Sequence, residues 1–468
     1  MRPSLRLLAA LGAAVAARGA WAGPPVLPAD PTLEALVRET LERRPELLQA
    51  RAAVKAESQR VPQAGALPDP MLTLGIQNDG FQGIQVGKME SSFYQAMVTQ
   101  PFFWPGKRGL RSEVASRDVQ LAEARLQRAG LTAEADVRRA YVDLLLVRDQ
   151  LALLEKQEAL WEQSEGLARA RYQVGQGPQS DLLRAQLERT RLRQRRLGLA
   201  AAERTRVQAL NRLRAHPLDE PIETPLHLAD VPDPRLPALP EALADAESRS
   251  PELREARLSV EQAEKRVELA NRERYPDMAV SAGVMPRGSM DPMWTLSFSV
   301  GLPVYGGRKQ GRAVAESEAR RDAEGQGAEA IRQILRLRTE ERLALLESEL
   351  GTSALYRGGL LVQSEGTTES TMSQYRVGRV TFASVLEALN GYVADHASFL
   401  ESMARAQRVA IAQWELSLEP PVGASAAMAG GAVPGAGTMG AGPARAGMGG
   451  GDGGAEPAAP SPSRGSGM

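Results

Sequence analysis

The chain of 468 residues contains no cysteine and only three histidines, His216, His227 and His396. Thiolate metal sites, disulfide frameworks and a cysteine nucleophile are therefore excluded. His216 and His227 fall in a proline-rich stretch and His396 in a helical pattern, so all three read as surface residues. No Ser-His-Asp order and no glycine-rich phosphate loop stands out, and the sequence offers no catalytic, cofactor-binding or metal-ligating residues. Net charge is also lacking: 57 basic residues balance 57 acidic ones, interleaved along helices. Phosphate binding needs a clustered basic surface, so nucleic acid is not an expected partner. Finally, beyond the N-terminus there is no run of about 18 apolar residues, the length a membrane-crossing helix requires. If the mature protein sits in a membrane, it does so by β-strands.

The N-terminus carries an address. Arg2 and Arg6 precede the apolar run Leu7 to Ala17, and Ala20-Trp21-Ala22 supplies small residues where a signal peptidase reads. Residues 1–22 are expected to be a secretory signal peptide. The run is too short to span a bilayer, and no cysteine follows it to take a lipid.

An internal repeat organises the remainder. "RRPELLQARAAVKAESQRVPQA" (43–64) aligns without a gap on "RSPELREARLSVEQAEKRVELA" (249–270). "WPGKRGLR" (104–111) then aligns on "YGGRKQGR" (305–312), and "YQVGQGPQSDLLRA" (172–185) on "YRVGRVTFASVLEA" (375–388). Three matches in one order indicate a duplication. The expected organisation is a first repeat over 23–214, a Pro-rich connector over 215–240 lying on the surface, a second repeat over 241–418 and a disordered Gly/Ala/Pro/Met tail over 419–468.

Each repeat opens with a helical pattern (about 32–64 and 240–272), with Pro45 and Pro251 near a helix start or an early break, and continues into two stretches of period-two alternation. Alternation places successive side chains on opposite faces of a strand. Strands are expected at about 70–78, 92–101, 276–285 and 293–302, joined by polar loops at 79–92 and 286–291. In the last of them Trp294, Leu296, Phe298, Val300 and Leu302 alternate with Thr295, Ser297, Ser299 and Gly301. In the first, Leu72, Leu74 and Ile76 oppose Thr73, Gly75 and Gln77. In the second, Tyr94, Ala96 and Val98 oppose Gln95 and Thr99, with Met97 as the exception. Long uninterrupted helical patterns follow (about 108–172 and 309–375). At 1.5 Å per residue each would reach roughly 100 Å and need coiled-coil partners. A Tyr-x-Val-Gly turn ends each, and a shorter helix returns (179–213 and 382–416). The fold class expected is mainly α with a small β part.

Strands of about nine residues suit a tilted crossing of a bilayer. Four strands cannot close a barrel, and open edges in lipid cost several kcal/mol per unpaired backbone group. The chain must then share a barrel with copies of itself. Two copies would give eight strands and a filled interior, so an open duct needs at least three.

The ordered motifs "ALPDPMLTLG", "QPFFWPGKRGLR", "YQVGQGPQSDLLRAQ", "YPDMAVSAGV", "GLPVYGGRKQGR" and "YRVGRVTFASVLEALN" resemble the TolC-like outer-membrane efflux proteins, over roughly residues 32–416. The resemblance implies a homotrimeric outer-membrane duct without enzymatic activity or cofactor. Its barrel would continue into a periplasmic α-barrel that docks a periplasmic adaptor (membrane fusion) protein and an RND-type inner-membrane pump. It implies adaptor contacts at Val174, Gly175, Gln176, Val377, Gly378 and Arg379, although a glycine there is also what a plain helix C-cap wants. It implies an aperture gate at Glu387, with Ser384 and Asp181 at related positions. Those two read equally as first-turn helix residues. "LPDPML" and "WPGKRGLR" look most like members serving heavy-metal or copper pumps, and tail methionines Met428, Met439 and Met448 would fit soft metals. Multidrug export, a type I secretion duct and a pore-free periplasmic coiled-coil scaffold are the alternatives.

Overall fold

The computed structural model describes Leu27 and residues 30–420. The expected signal peptide and nearly all of the expected tail lie outside those residues.

The first helices show how local sequence sets the element boundaries. Helix α1 (Pro31–Arg43) starts with Pro31 in its first turn, and the Asp30 carboxylate accepts from Thr32 N at 2.9 Å. That cap satisfies an amide the helix leaves unpaired. Helix α2 (Pro45–Ala64) is separate from α1, because the residue before a proline is pushed out of the α region. Arg44 sits at φ −58°, ψ 122°. The pattern over 32–64 is thus two helices, with Pro45 as the break and new start. The pattern over 240–272 divides in the same way before Pro251.

Strands β1 (Met71–Gln77) and β2 (Phe93–Phe102) follow, then the 67-residue helix α3 (Lys107–Gln173) and its return α4 (Gln179–Leu213). After the connector come α5 (Leu239–Arg249) and α6 (Pro251–Arg272), divided before Pro251 at Ser250, whose hydroxyl caps α6 by accepting from Leu253 N at 3.2 Å. Strands β3 (Met278–Arg287) and β4 (Met290–Val300), helix α7 (Gln310–Leu355), helix α8 (Leu361–Arg376) and helix α9 (Phe382–Glu415) complete the order.

The second long helix departs from expectation. Between α7 and α8 the backbone takes one π-helical turn, Tyr356–Leu360, so the pattern over 309–375 is interrupted where that over 108–172 is not. Gly358 and Gly359 weaken helix propensity there. Arg357, within that turn, forks onto Asp233 of the connector at 2.6 and 3.1 Å.

Helix α3 packs along α2, α4, α6 and α9. The main core lies midway, where Leu33 and Val37 of α1, Tyr141, Leu144 and Leu145 of α3, Leu210 of α4 and Met403 and Ile411 of α9 are buried together. The connector takes part in it, against the expectation of a surface stretch: Ile222, Leu228 and Val231 are buried in the same cluster. Among the histidines only His227 is well exposed. His216 is half-buried between Arg43 and Glu220, and His396 is half-buried with its ring on Tyr392. A second cluster lies near the turns that follow α3 and α8, with Trp161, Tyr375, Phe382, Val385 and Leu389.

The four strands form one antiparallel sheet in the order β1-β2-β3-β4. β4 begins and ends earlier than its alternation suggests. The expected loop over 286–291 shrinks to Gly288 and Ser289, since Arg287 pairs with Met290 and Gly288 takes a left-handed φ of 68°. A two-residue hairpin with positive φ matches the twist of the strands. At its other end β4 stops at Val300, and Leu302 projects beyond the sheet, exposed.

Candidate functional site

Register decides what each face of the sheet presents. Leu72 pairs with Val98, Val98 with Ala282, and Ala282 with Leu296. One strand position along, Leu74, Ala96, Val284 and Trp294 form a second such row. Directly paired residues share a face, so all seven expected apolar-face residues (Leu72, Leu74, Ile76, Trp294, Leu296, Phe298, Val300) lie together. Every one is exposed, Trp294 at 78% and Leu74 at 71%. A contiguous apolar surface of this kind on a folded chain marks a membrane or protein contact.

The opposite face carries small polar residues together with four methionines. Thr99 pairs with Ser281 and Ser281 with Ser297, and the Thr99 and Ser281 hydroxyls lie 2.9 Å apart. Met71, Met97, Met285 and Met293 are on this face too, by register with Thr99, Gly283 and one another. Met97 is therefore not a lone exception, and the sequence reading missed the other three.

Where sheet meets helix, Lys107 is buried at the start of α3. Its Nζ donates to Asp277 Oδ1 and to the Tyr275 carbonyl, both at 2.8 Å. Asp277 Oδ1 also accepts from Trp104 N at 2.9 Å, and the Trp104 and Tyr275 rings stack with centroids 5.3 Å apart. This clasp joins the end of β2 to the beginning of β3. The motifs that hold these residues are quoted above for the repeat and the resemblance, but the pairing between them needs the sheet.

At the far end of the helices both Tyr-x-Val-Gly turns are helix C-caps. Gly175 and Gly378 have φ of 70° and 77°, which only glycine adopts at little cost. Gln176 N returns to Arg171 O at 2.8 Å and Arg379 N to Gln374 O at 2.9 Å, closing Schellman-type turns. The two turns are brought together by Arg171. It donates to the Tyr375 carbonyl at 2.8 Å and to the Gln176 carbonyl at 3.1 Å, with its guanidinium over the Tyr375 ring. Val174 and Val377 stand fully out on either side.

The gate positions lie just behind. Asp181 is in the first turn of α4 and accepts from the Tyr375 hydroxyl at 3.5 Å. Burial, with Asp181 beside it, pushes the Tyr375 phenol above its ordinary range and keeps it a donor. Ser384 is in the first turn of α9, its amide bonded to the Thr381 cap. Glu387 is exposed one turn further on and forms no ion pair among the described residues.

No helix among the described residues is long and apolar enough to cross a membrane. A small sheet with one apolar exposed face, borne on a helix of roughly 100 Å (α3) with shorter helices packed along it, has the build of a membrane protein anchored by strands. Residues 36–216 match the profile of the Outer membrane efflux protein family. The nickel and cobalt resistance protein CnrC of Cupriavidus metallidurans is 28% identical over 312 residues, 65% of this chain and 72% of that one. The nickel-cobalt-cadmium resistance protein NccC of Alcaligenes xylosoxydans is 26% identical over 64% of this chain and 69% of its own. The open-state MtrE outer membrane channel of Neisseria gonorrhoeae superposes with a TM-score of 0.69 at 19% identity, covering 83% of this chain and 89% of that one. By residues 36–216 the chain is identified with the outer membrane efflux proteins. Its place is the outer membrane, with the helical part in the periplasm, and it is not an enzyme.

Proposed function

We propose that the chain is the exit duct of a tripartite efflux system, a passive conduit from the periplasmic side to the exterior. The observation that carries this reading is the sheet: one face apolar and exposed, the other of small polar residues interspersed with methionines, and both outer strands, β1 and β4, with an edge left unpaired within the chain. Such edges have no place in lipid unless another chain covers them. Three chains would supply twelve strands and an open lumen, so the assembly is a homotrimer whose strands cross the outer membrane. The twofold order of strands and helices along the chain agrees with the duplication read from sequence.

On this reading Leu72, Leu74, Ile76, Trp294, Leu296, Phe298 and Val300 face lipid, and Thr295, Ser297 and Ser299 face the lumen. The paired tips at Val174–Gln176 and Val377–Arg379 meet the adaptor, and an inner-membrane pump of RND type supplies the energy. Glu387, with Ser384 and Asp181, narrows the periplasmic aperture. The resistance relatives favour metal ions as cargo over drugs. The deciding experiment separates cell envelopes and measures the mass of the extracted protein. Recovery from outer membranes as a trimer is expected, and a monomer in the periplasmic fraction would fit the coiled-coil scaffold instead.

A further inference from the structure

We infer that the seam between neighbouring copies repeats the β2–β3 seam inside the chain, with Asp69 of one copy clasping Arg308 of the next. The inference rests on the trimer proposed above and deepens it to register and side chains.

Within the chain, the β2–β3 seam joins the end of the first repeat's sheet to the start of the second's. The aligned motifs give each member of its clasp a counterpart. "LPDP" (67–70) matches "YPDM" (275–278), placing Asp69 where Asp277 is and Leu67 where Tyr275 is. "WPGK" (104–107) matches "YGGR" (305–308), placing Tyr305 where Trp104 is and Arg308 where Lys107 is. The original four are engaged, Lys107 with Asp277 and Trp104 with Tyr275. Their counterparts are not. Leu67 and Tyr305 are exposed large hydrophobics, the latter at 70%. Asp69 and Arg308 are exposed and make no side-chain hydrogen bond or ion pair among the described residues. They sit at opposite edges of the sheet, beside β1 and beyond β4, so no single chain brings them together. A neighbouring copy does, and the charges are complementary.

The strand register transposes in the same way. The hairpin pairs Thr73↔Met97 and Ser281↔Ser297 are equivalent, so Met97 corresponds to Ser297 and Thr99 to Ser299. The seam pair Thr99↔Ser281 then becomes Thr73 opposite the next copy's Ser299, a second hydroxyl pair on the polar face. The apolar faces stay continuous, with Phe298 opposite Leu74. The second repeat has one more residue between strand and turn, six steps from Ser299 to Tyr305 against five from Thr99 to Trp104, which the turn at 301–309 takes up.

Glycine placement agrees. Gly283 has no room for a side chain, because a Cβ would lie 2.9 Å from Ala96 O on β2. Its counterpart Gly75 meets only Gln95 Oε1 at 3.9 Å within its own chain. A glycine inside a strand is unfavourable unless another backbone approaches. In the transposed register that backbone is the next copy's at Ser297.

A chain without cysteine lends itself to the test. The double variant T73C/S299C, oxidised in outer membranes, is expected to yield covalently linked trimers on non-reducing gels, since directly opposed strand residues bring their Cβ atoms within disulfide reach. The pair T73C/S297C, two residues out of register, is expected to give little. D69R and R308D are each expected to lower the temperature at which the trimer dissociates in detergent, and the double exchange D69R/R308D to restore it. A trimer that links through T73C/S297C, through neither pair, or without rescue by the charge exchange overturns this inference and leaves the trimer intact. A wild-type protein extracted as a monomer removes the trimer itself and this seam with it.

Discussion

Arg171 and Tyr375, 204 residues apart in sequence, are locked together at the end of the helices: the guanidinium donates to the tyrosine carbonyl at 2.8 Å and lies 4.8 Å from its ring centroid. One side chain thereby ties the α3–α4 turn to the α8–α9 turn. Replacing it with alanine removes two charge-assisted bonds and a cation–π contact. The expected local loss is about 1–3 kcal/mol. It should appear as faster amide exchange at Gln176 and Arg379, with the strand amides unchanged. Unchanged exchange at the turns would mean that each tip holds itself.

Glu387 is tested by neutralisation. If it narrows the aperture, Glu387→Gln raises single-channel conductance or sensitivity to large antibiotics. Ser384→Ala and Asp181→Asn, at the related positions, are expected to move conductance in the same direction and by less. Equal conductance of wild type and Glu387→Gln would remove the gating role.

The sheet faces predict an asymmetry between neighbours in sequence. Phe298→Arg places a charge on the apolar face and should cost about 2–4 kcal/mol if that face meets mid-bilayer lipid. Ser297→Arg, one residue away on the polar face, should assemble normally. The yield of folded protein extracted from outer membranes measures both. Similar losses for the two would show that the faces do not differ in their surroundings.

The connector carries a titrating contact. His227 Nδ1 lies 2.7 Å from Asp149 Oδ1, and Asp149 also accepts from Leu228 N at 2.7 Å. The hydrogen bond and charge of Asp149 raise the His227 pKa above 6.5, with Asp230 adding to it and burial and Lys156 opposing. A raised pKa means that the folded state holds the proton more tightly than the unfolded one. The contribution is therefore full below about 6.5 and fades as pH climbs through the raised value. His227→Gln should flatten the thermal-stability profile across that window and leave it unchanged well above it. A wild-type profile already flat there would contradict the contact.

How much of this was legible before the structure differs from element to element. The strand faces were, because a period of two in "MWTLSFSV" has one reading once the partner strands show the same alternation. The helix hairpins were too, since Val-Gly after a long Ala/Leu/Glu/Arg pattern marks a C-cap. The breaks before Pro45 and Pro251 were half legible: the prolines were visible, but a proline in the first turn suits a helix start as well as a break. The π turn at Tyr356–Leu360 was hidden, because Gly358 and Gly359 weaken a helix without marking a π turn. The Lys107–Asp277 clasp and the Arg171 bridge could not be read from spacing either. They depend on which elements become neighbours, as does the burial of Ile222, Leu228 and Val231 in a stretch whose prolines suggested surface.

The central claim is that the polar face of the sheet lines a water-filled duct. Its most direct test is single-channel recording of Ser297→Cys and Phe298→Cys proteins in planar bilayers, before and after a charged, water-soluble thiol reagent. The account predicts discrete conductance steps for both, which fall on modification only for Ser297→Cys. Absence of steps, or a fall for Phe298→Cys with none for Ser297→Cys, would contradict it.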